Sequence, residues 1–406
     1  MTRLVRELSG TVAVAVLLAI STAAPAGADP QRLSGPTTVR DESSKKLTQL
    51  DTAYDTVNNV YLTVWGTQGA GPVNGLFLDY NGAPIGSVFA ISTGAQQSGW
   101  ARVIYSPEQQ RFVVAFTKIL GTSSHQRTIR MLTYSSGAPS FLTNDIPVAS
   151  FPDSGGSAGL AYSPSAAMFM VTWHQWAPYS KPRSYVTPVS PSGTVGAAQL
   201  VSDVNDGQSD PNISCNAAGR CLIVGYSWGG TNNNLNTTWG RFIDGAAATP
   251  AGASASNLDG APVEGDAQVI YVPATDNFLV YFNRDFKNIW GKIFDANGTG
   301  GSAFLMKQST NAAVDGGGFG LARISYNSTS TTMMLSMGSW FGLACAQELG
   351  PTGANIGAVD CVSGPQEGTH FTMSTADPVH NRFLMTDNQA YNKIRATIYA
   401  ASPPAP

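Results

Sequence analysis

The stretch NVYLTVWGT, residues 59–67, is an apolar run of strand-forming residues that ends in an aromatic residue, Trp65. Six related runs follow it: RFVVAFTK (111–118), MFMVTWHQ (168–175), RCLIVGYS (220–227), NFLVYFNR (277–284), TMMLSMGS (332–339) and RFLMTDNQ (382–389). The residue at the Trp65 position recurs every 50 to 57 residues, as Trp65, Phe116, Trp173, Tyr226, Phe282, Met337 and Asp387. A steady period of this length predicts a repeat architecture.

Each repeat can be divided into four strands, here named a, b, c and d in chain order. In the fifth repeat these are QVIYVP (268–273), NFLVYFN (277–283), IWGKIFDANG (289–298) and GSAFLMKQS (301–309). Helical periodicity is absent, and turn residues punctuate the chain at short intervals. Radially repeated four-stranded units are the blades of a propeller, whereas tandem sandwich modules need about 100 residues each. The sequence therefore predicts an all-β fold, a seven-bladed β-propeller.

The two ends of the chain predict how the ring closes. The seventh repeat stops at ASPPAP (401–406) without a strand d, and a spare strand-like segment, GPTTVRDES (35–43), precedes the first repeat. Pairing that segment with the last blade would remove an exposed sheet edge. We therefore expect one domain over residues 29–404, with an N-terminal strand that completes blade 7.

The first 28 residues have the pattern of a signal peptide. Arg3 and Arg6 precede the apolar run TVAVAVLLAI (11–20), and AGA (26–28) offers small residues for cleavage. No later run reaches the roughly 20 apolar residues of a membrane helix. We expect a secreted, extracellular protein with no membrane partner that acts as a monomer.

Charge and cysteine content narrow the function classes further. The formal net charge is −3, and dispersed basic residues make nucleic acid an unexpected partner. The cysteines form two local pairs, Cys215 with Cys221 and Cys345 with Cys361. In an exported chain such pairs favour disulfides. A metal site is the alternative, but no histidine accompanies either pair at a ligand-like spacing.

The pattern AYD…NNVYLTVWG…VNGLFLDYNGAPIGSVFAIS, within residues 53–92, resembles the repeat of bacterial secreted β-propeller proteins. The resemblance extends over nearly the whole mature chain and implies blades rather than a particular chemistry. The Ser-x-Asp-x-Gly-x-x-Trp box of sialidase-type propellers is not found, and neither is a convincing WD signature.

Function is expected on the face built from the loops before strand a and after strand b, which we call the mouth face. Exposed aromatic rings and amides there would suit a sugar, whose C–H face stacks on aromatic rings and whose hydroxyls need polar partners. Alternatively, the aromatic rings cap the sheet edges. The candidate substrate-binding residues are Trp100, Trp176, Trp228, Trp340, Gln49 and Arg323.

Catalytic candidates lie in the same segments. A uronate lyase needs a base for the C5 proton and a cation for the carboxylate, roles that His174 or His370, Arg284 or Arg323, and Tyr391 could fill. A hydrolase would instead use a pair of carboxylates, with Asp266 and Asp285 as candidates. Each of these side chains could also serve only in hydrogen bonding.

Acid-glycine pairs precede several of the a strands, at Asp153, Asp206, Glu264, Asp315 and Glu367. Such pairs usually cap turns. The alternative is a ring of carboxylates at the channel mouth that holds Ca²⁺ or performs acid–base work, with Glu264 and Glu367 as further candidate acids of a hydrolase. Apart from this possible Ca²⁺, no cofactor is expected.

Unequal loops among the blades favour one asymmetric central site over a repeated lectin pocket. We therefore expect a propeller that binds and cleaves an extracellular polysaccharide or glycoconjugate, as a glycoside hydrolase or a polysaccharide lyase. The alternatives are a propeller that binds glycans without cleaving them and one that docks another protein.

Overall fold

The structure is a computed structural model of the chain. It describes residues 30–42, 45–67, 69, 71–94, 98–121, 124–152, 159–176, 179, 181–203, 207–227, 237–245, 248–256, 258, 267–284, 288–308, 323–338, 343–362, 369–390 and 392–403. For residues 48, 98, 252–256, 369 and 370 it describes the backbone only. The strands in these ranges form seven antiparallel sheets, which confirms the all-β, seven-bladed propeller.

The first three blades follow one another along the chain. Blade 1 contains β2 (Leu47–Asp55), β3 (Val60–Thr67), β4 (Asn74–Asp79) and β5 (Pro84–Ala90). Blade 2 contains β6 (Ser98–Ser106), β7 (Arg111–Gly121), β8 (Ser124–Ser135), β9 (Ala138–Phe141) and β10 (Ile146–Phe151). Blade 3 contains β11 (Gly159–Ser163), β12 (Met168–Gln175), β13 (Arg183–Val189) and β14 (Gln199–Leu200).

The next three blades repeat the same order. Blade 4 contains β15 (Gln208–Cys215), β16 (Arg220–Ser227), β17 (Thr237–Asp244) and β18 (Thr249–Ser256). Blade 5 contains β19 (Gln268–Val272), a 3₁₀ turn (Pro273–Thr275), β20 (Asn277–Arg284), β21 (Asn288–Asp295) and β22 (Phe304–Gln308). Blade 6 contains β23 (Arg323–Asn327), β24 (Thr332–Gly338), β25 (Ala344–Leu349) and β26 (Asn355–Cys361).

Blade 7 joins the two ends of the chain. It contains β27 (Thr369–Asp377), β28 (Arg382–Gln389), β29 (Lys393–Ala400) and, as its outer strand, β1 (Gln31–Asp41). β1 pairs antiparallel with β29 from Gln31 opposite Ala400 to Asp41 opposite Lys393. The predicted closing strand is therefore confirmed, although it begins four residues before Gly35.

The a strands form the inner wall of the ring. In blade order they are β2, β6, β11, β15, β19, β23 and β27, and each packs beside the next, with β27 beside β2. Strands b, c and d then lie progressively further out in every sheet. The a strands therefore surround a central channel.

The repeated residues of the b strands fill the core between blades, as the repeat predicts. Trp65, Phe116, Phe282 and Met337 are all almost fully buried. Burying such side chains is a main source of stability in the fold. In blade 7 the same position is Asp387, which is also fully buried.

Asp387 is matched by a cation on the next strand of its blade. Arg395 on β29 donates to Asp387 Oδ1 from Nε at 2.9 Å and from Nη2 at 2.6 Å, and it lies directly opposite Asp387 in the sheet register. A buried carboxylate needs such a partner. The one charged repeat position thus forms an ion pair within the core.

Both predicted disulfides are present. Cys215 pairs with Cys221 across the hairpin between β15 and β16, and Cys345 pairs with Cys361 between β25 and β26. In the part of the chain that the structure describes, no helix has the length and apolarity needed to span a membrane.

The segment after the repeated residue of blade 2 differs from the prediction. A loop is expected after strand b in each blade, but in blade 2 β7 continues to Gly121 and β8 begins at Ser124. His125 is therefore a strand residue, paired with Ile119 and Phe151 and stacked on the Phe151 ring. Continued pairing with β7 and β10 satisfies backbone groups that a loop would leave to solvent.

Candidate functional site

The central channel contains a cavity of about 150 Å³ among the a strands. Each of the seven blades contributes at least one lining residue, and Tyr281 reaches the cavity from strand b of blade 5. An apolar cavity of this size binds benzene in another protein, so the space fits about one six-membered ring. Residues from all seven blades can therefore contact one small chemical group bound in this cavity.

One position of the a strands forms a ring around this cavity. In blades 1 to 6 it lies fourteen residues before the repeated residue of strand b. The ring is Asp51, Arg102, Gly159, Asn212, Gln268 and Arg323, with Ser374 as the contribution of blade 7. We call these residues the channel ring. Asp51, Arg102, Asn212 and Gln268 were missed as candidates, although the constant offset was a signal in the sequence.

Asp51 joins blade 1 to blade 2. Its Oδ1 accepts a hydrogen bond from the Thr52 amide at 3.0 Å, and its Oδ2 accepts one from the Val103 amide at 2.9 Å. Burial raises the pKa of the Asp51 carboxyl, while the charge of Arg102 and the two amide hydrogen bonds oppose that rise. Asp51 is a carboxylate with a perturbed pKa in a cleft, which is typical of functional sites.

Arg102 lies between Asp51 and a second, deeper guanidinium group. Arg127 on β8 is fully buried, and its pKa is lowered to about 9. Burial is the main cause, the charge of Arg102 acts in the same direction, and the charge of Asp210 opposes both. Burial raises the pKa of Tyr281, and the positive charge of Arg102 opposes that rise. Arg102 thus influences groups from several blades at once.

Gln49 was predicted to bind substrate, but it is fully buried. With its amide oxygen facing Arg102, it accepts hydrogen bonds from Nη2 at 3.1 Å and Nη1 at 3.2 Å. A side chain that is closed off in this way cannot offer a surface to a sugar. Its place in the structure is behind Arg102, where it orients the guanidinium group.

Blades 4, 5 and 6 contribute a polar arc to the channel ring. Asn212 Nδ2 donates to the carbonyl oxygens of Asp210 and Ala267, both at 3.2 Å. Asn212 Oδ1 accepts from Arg323 Nη1 at 3.5 Å. Gln268, between them in the ring, is 3% exposed and lines the cavity. This arc is rich in N–H donors.

β-bulges lie at the beginning of several a strands, just above the channel ring. They fall between Leu47 and Gln49, Gly99 and Arg102, Ser209 and Asn212, and Thr369 and Thr372. Trp100 and Asp210 occupy equivalent bulges with φ values of 54° and 49°, which non-glycine residues rarely adopt. Bulges redirect side chains and are frequent beside active sites. Trp100 is 42% exposed at this level.

His174 was predicted in a loop at the mouth face, but it is a buried residue of β12. Its Nδ1 accepts a hydrogen bond from the Asp210 amide at 3.1 Å and lies 3.7 Å from the Asp210 carboxylate. Because Nδ1 is an acceptor, the neutral ring carries its proton on Nε2. In this state Nδ1 is the hydrogen-bond acceptor of the ring and Nε2 is its donor.

Arg284 and Trp176 both lie at the ends of b strands on the mouth face. The Arg284 guanidinium stacks over the Trp290 ring at 4.1 Å. Trp176 follows β12 directly and is 36% exposed. Nearby, Arg183 lies 3.7 Å over the ring of Tyr179. Cations stacked on aromatic rings hold both partners in place.

Several predicted residues lie outside the described residues and remain predictions. They are Trp228, Asp266, Asp285, Trp340, Tyr391 and the side chain of His370, together with the acids Asp153, Asp206, Glu264, Asp315 and Glu367. Among the residues that are described, no three His, Cys, Asp or Glu side chains are grouped so that they could hold a metal ion. A calcium site therefore remains a prediction that concerns the five acids of the acid-glycine pairs, which lie outside the described residues.

The chain matches no protein-family model, and no curated protein sequence matches it either. Solved structures share its fold. It is similar to the GH93 α-L-arabinofuranosidase of Fusarium graminearum in complex with arabinobiose, with a TM-score of 0.52 and 9% identity, covering 92% of this chain and 97% of that chain. It is also similar to the periplasmic gluconolactonase of Pseudomonas aeruginosa, with a TM-score of 0.52 and 12% identity, covering 85% of this chain and 98% of that chain. At these identities the likeness establishes the fold alone.

Proposed function

We propose that this protein binds and cleaves an extracellular carbohydrate at the mouth of its central channel, after residues 1–28 are removed during export. The observation that carries this proposal is the channel ring. Its positions are chemically different from blade to blade, and they surround one cavity that fits a single ring. Seven equal lectin pockets would repeat their ligand residues, whereas one asymmetric site does not.

The chemistry of the channel ring suits a polyhydroxylated ligand. Gln268 offers an amide donor, and Arg102 and Arg323 contribute charged donors. The Ser374 hydroxyl, which already donates to the Met334 carbonyl oxygen, can accept a further hydrogen bond. Trp100 lies in the β-bulge that precedes Arg102 on β6, and its exposed indole ring provides an apolar surface on the mouth-face side of the channel ring. The shared fold of an arabinofuranosidase and a gluconolactonase, both named for reactions on sugar derivatives, supports the same class of substrate.

Two reactions fit this proposal. In a hydrolase, Asp266 and Asp285 would supply the acid and base, and water would be added across the glycosidic bond. In a lyase, His370 or Tyr391 would remove the C5 proton while Arg284 or Arg323 neutralises the uronate carboxylate. The C4–O bond then breaks as a C4=C5 double bond forms, and the leaving oxygen takes up a proton from the protonated base or from water. The products are an unsaturated uronate and a fragment with a new reducing end. His174, with its proton on Nε2, would act as a hydrogen-bond donor in either case.

The proposal is tested by incubating the mature protein with plant, algal and bacterial-wall polysaccharides. New reducing ends and the ultraviolet absorbance of unsaturated uronates are followed together. Reducing ends alone indicate a hydrolase, and both signals indicate a lyase. The same panel is measured for binding by calorimetry, so that a protein that binds without cleaving is recognised. Failure to bind or cleave any polysaccharide would overturn the proposal.

A further inference from the structure

Arg323 presents one unoccupied edge of its guanidinium group beside the channel cavity. Neither Nε nor Nη2 has a hydrogen-bond partner within the described part of the chain, and each atom has less than 1 Å² of accessible surface. The remaining nitrogen, Nη1, donates to Asn212 Oδ1 at 3.5 Å. Nε–H and one Nη2–H of an arginine lie side by side and point the same way. The open edge of Arg323 is therefore a two-pronged donor.

The backbone around Arg323 is held in place by neighbouring hydroxyl groups. The Arg323 carbonyl oxygen accepts hydrogen bonds from Ser336 Oγ and Ser374 Oγ, each at 3.3 Å. Ser374 belongs to blade 7, so the strand is fixed from two blades. A guanidinium group carried on such a rigid strand loses little freedom when it binds a ligand.

Gln268 adds a third open donor from the adjacent blade. The side chain is 97% buried, yet its Nε2 has no hydrogen-bond partner among the described residues. Gln268 and Arg323 line the same cavity. Buried polar groups are nearly always hydrogen-bonded in folded proteins. A ligand that enters the cavity must therefore accept hydrogen bonds from these donors if they are not to stay unpaired.

The geometry points to a carboxylate-binding subsite formed by Arg323 and Gln268, so that the substrate is an acidic sugar such as a uronic acid. This inference rests on the proposed function and specifies its substrate class. A planar carboxylate has two oxygens at the spacing of the arginine fork, and a further lone pair can accept from Gln268 Nε2. A neutral sugar hydroxyl has a single oxygen and no charge, so it cannot pair with both prongs of the arginine fork in the bidentate geometry of a carboxylate.

The other charges at the channel allow an anion in this position. Arg102 lines the same cavity and adds positive charge. Asp51 lines it too, but burial disfavours the charged form of Asp51, and its two oxygens face the amides of Thr52 and Val103. The described part of the cavity lining thus contains two guanidinium groups and one carboxylate.

The inference is tested with matched pairs of ligands that differ only in the carboxylate. Oligogalacturonate, oligomannuronate and oligoglucuronate are each compared with the carboxyl-reduced oligomer of the same length, and a sulfated galactose oligomer is included. Calorimetry gives the ratio of acidic to neutral affinity for the full mature chain. We expect at least one acidic oligomer to bind about 30-fold or more tightly than its reduced form, as for a buried charged pair.

The variants Arg323→Gln and Gln268→Glu should each reduce this ratio toward one, the first by removing the fork and the second by placing a carboxylate against the ligand. Arg382→Gln is the matched control, because Arg382 begins β28 at the opposite end from the mouth face. It should leave the ratio unchanged. Thermal unfolding of each variant shows whether it is folded. Because the acidic and the reduced oligomer are measured on the same protein sample, the ratio of their affinities does not depend on how much folded variant is obtained.

The possible outcomes separate this inference from the proposed function. Equal binding of acidic and reduced oligomers, or an unchanged ratio in Arg323→Gln, would overturn the carboxylate subsite and leave the carbohydrate proposal standing. Binding of the sulfated oligomer without any uronate would overturn the carboxylate assignment in favour of a sulfate ester. If no oligomer and no polysaccharide binds, both proposals fail.

Discussion

Two positions in each blade lie on adjacent strands but differ in how much they vary from blade to blade. The first is the repeated residue that ends strand b, exemplified by Trp65, and the second is the channel-ring position fourteen residues earlier, exemplified by Asp51. In six of the seven blades the b position is aromatic or Met, whereas the channel ring contains acid, base, amide, hydroxyl and Gly.

The contrast follows from what surrounds each position. Every b position faces the same environment, two neighbouring sheets, so in six of the seven blades the same kind of large apolar side chain fills it. Channel-ring positions all face one shared cavity, where repeating a side chain seven times would crowd or charge a single space. Repetition therefore marks packing in this fold, and variation on the inner strands marks the candidate site.

The largest expected effect is on the repeated core position. Replacing Trp65 with Ala should lower the free energy of unfolding by about 3 to 5 kcal/mol, because the fully buried ring leaves a cavity. Urea denaturation of the purified variant measures the change. Trp173→Ala, at the same position in blade 3, should behave similarly. A loss below 1 kcal/mol in both variants would show that the repeated residues are not the core.

A smaller loss is expected where blade 7 departs from the aromatic pattern. Asp387→Asn should cost about 3 kcal/mol, because Arg395 is left as a buried cation without its carboxylate. The double variant Asp387→Leu with Arg395→Met should recover most of that loss, since both charges are removed together. Chemical denaturation of Asp387→Leu, Arg395→Met and the double variant gives the coupling energy. Additive losses would contradict a coupled pair.

The smallest effect on stability is expected for the exposed aromatic residues of the mouth face. Trp100→Ala and Trp176→Ala should each change the free energy of unfolding by no more than about 0.5 kcal/mol, since both residues lie on the surface, with 42% and 36% of their area exposed. Each should nevertheless weaken glycan binding by about tenfold, because a stacking surface is lost.

Val379→Ala is the control for these two variants, because Val379 is exposed in the hairpin between β27 and β28, away from the mouth face. It should alter neither stability nor glycan affinity. Unfolding of Trp176→Ala or Trp100→Ala under native conditions would place these residues in the core and remove the distinction between the two regions.

Local sequence patterns predicted most of the fold. The strand runs, their period and the spare segment at the N terminus determine seven blades and the pairing of β1 with β29. Both disulfides follow from cysteines that are close in sequence. These features depend on neighbours within one hairpin or one blade, so they can be predicted without knowing the rest of the molecule.

The candidate site was predicted less completely. Arg323 and Trp100 were identified from their positions before the a strands, but Gln49 was assigned to the ligand although it lies behind Arg102. His174 was assigned to a loop, because the end of a strand cannot be seen in a short apolar run followed by polar residues. The β-bulges that redirect Trp100 and Asp210 left no clear pattern in the sequence.

The sequence by itself determined the number of blades, their strand order, the residues that fill the core and the covalent links within blades. Only the tertiary structure decided which side chains share the channel, and that the open edge of Arg323 lies beside Gln268 in one cavity. The physical reason is distance along the chain. Channel-ring residues are about one repeat apart in sequence, and closure of the ring alone brings their charges and hydrogen-bonding groups within reach of one another.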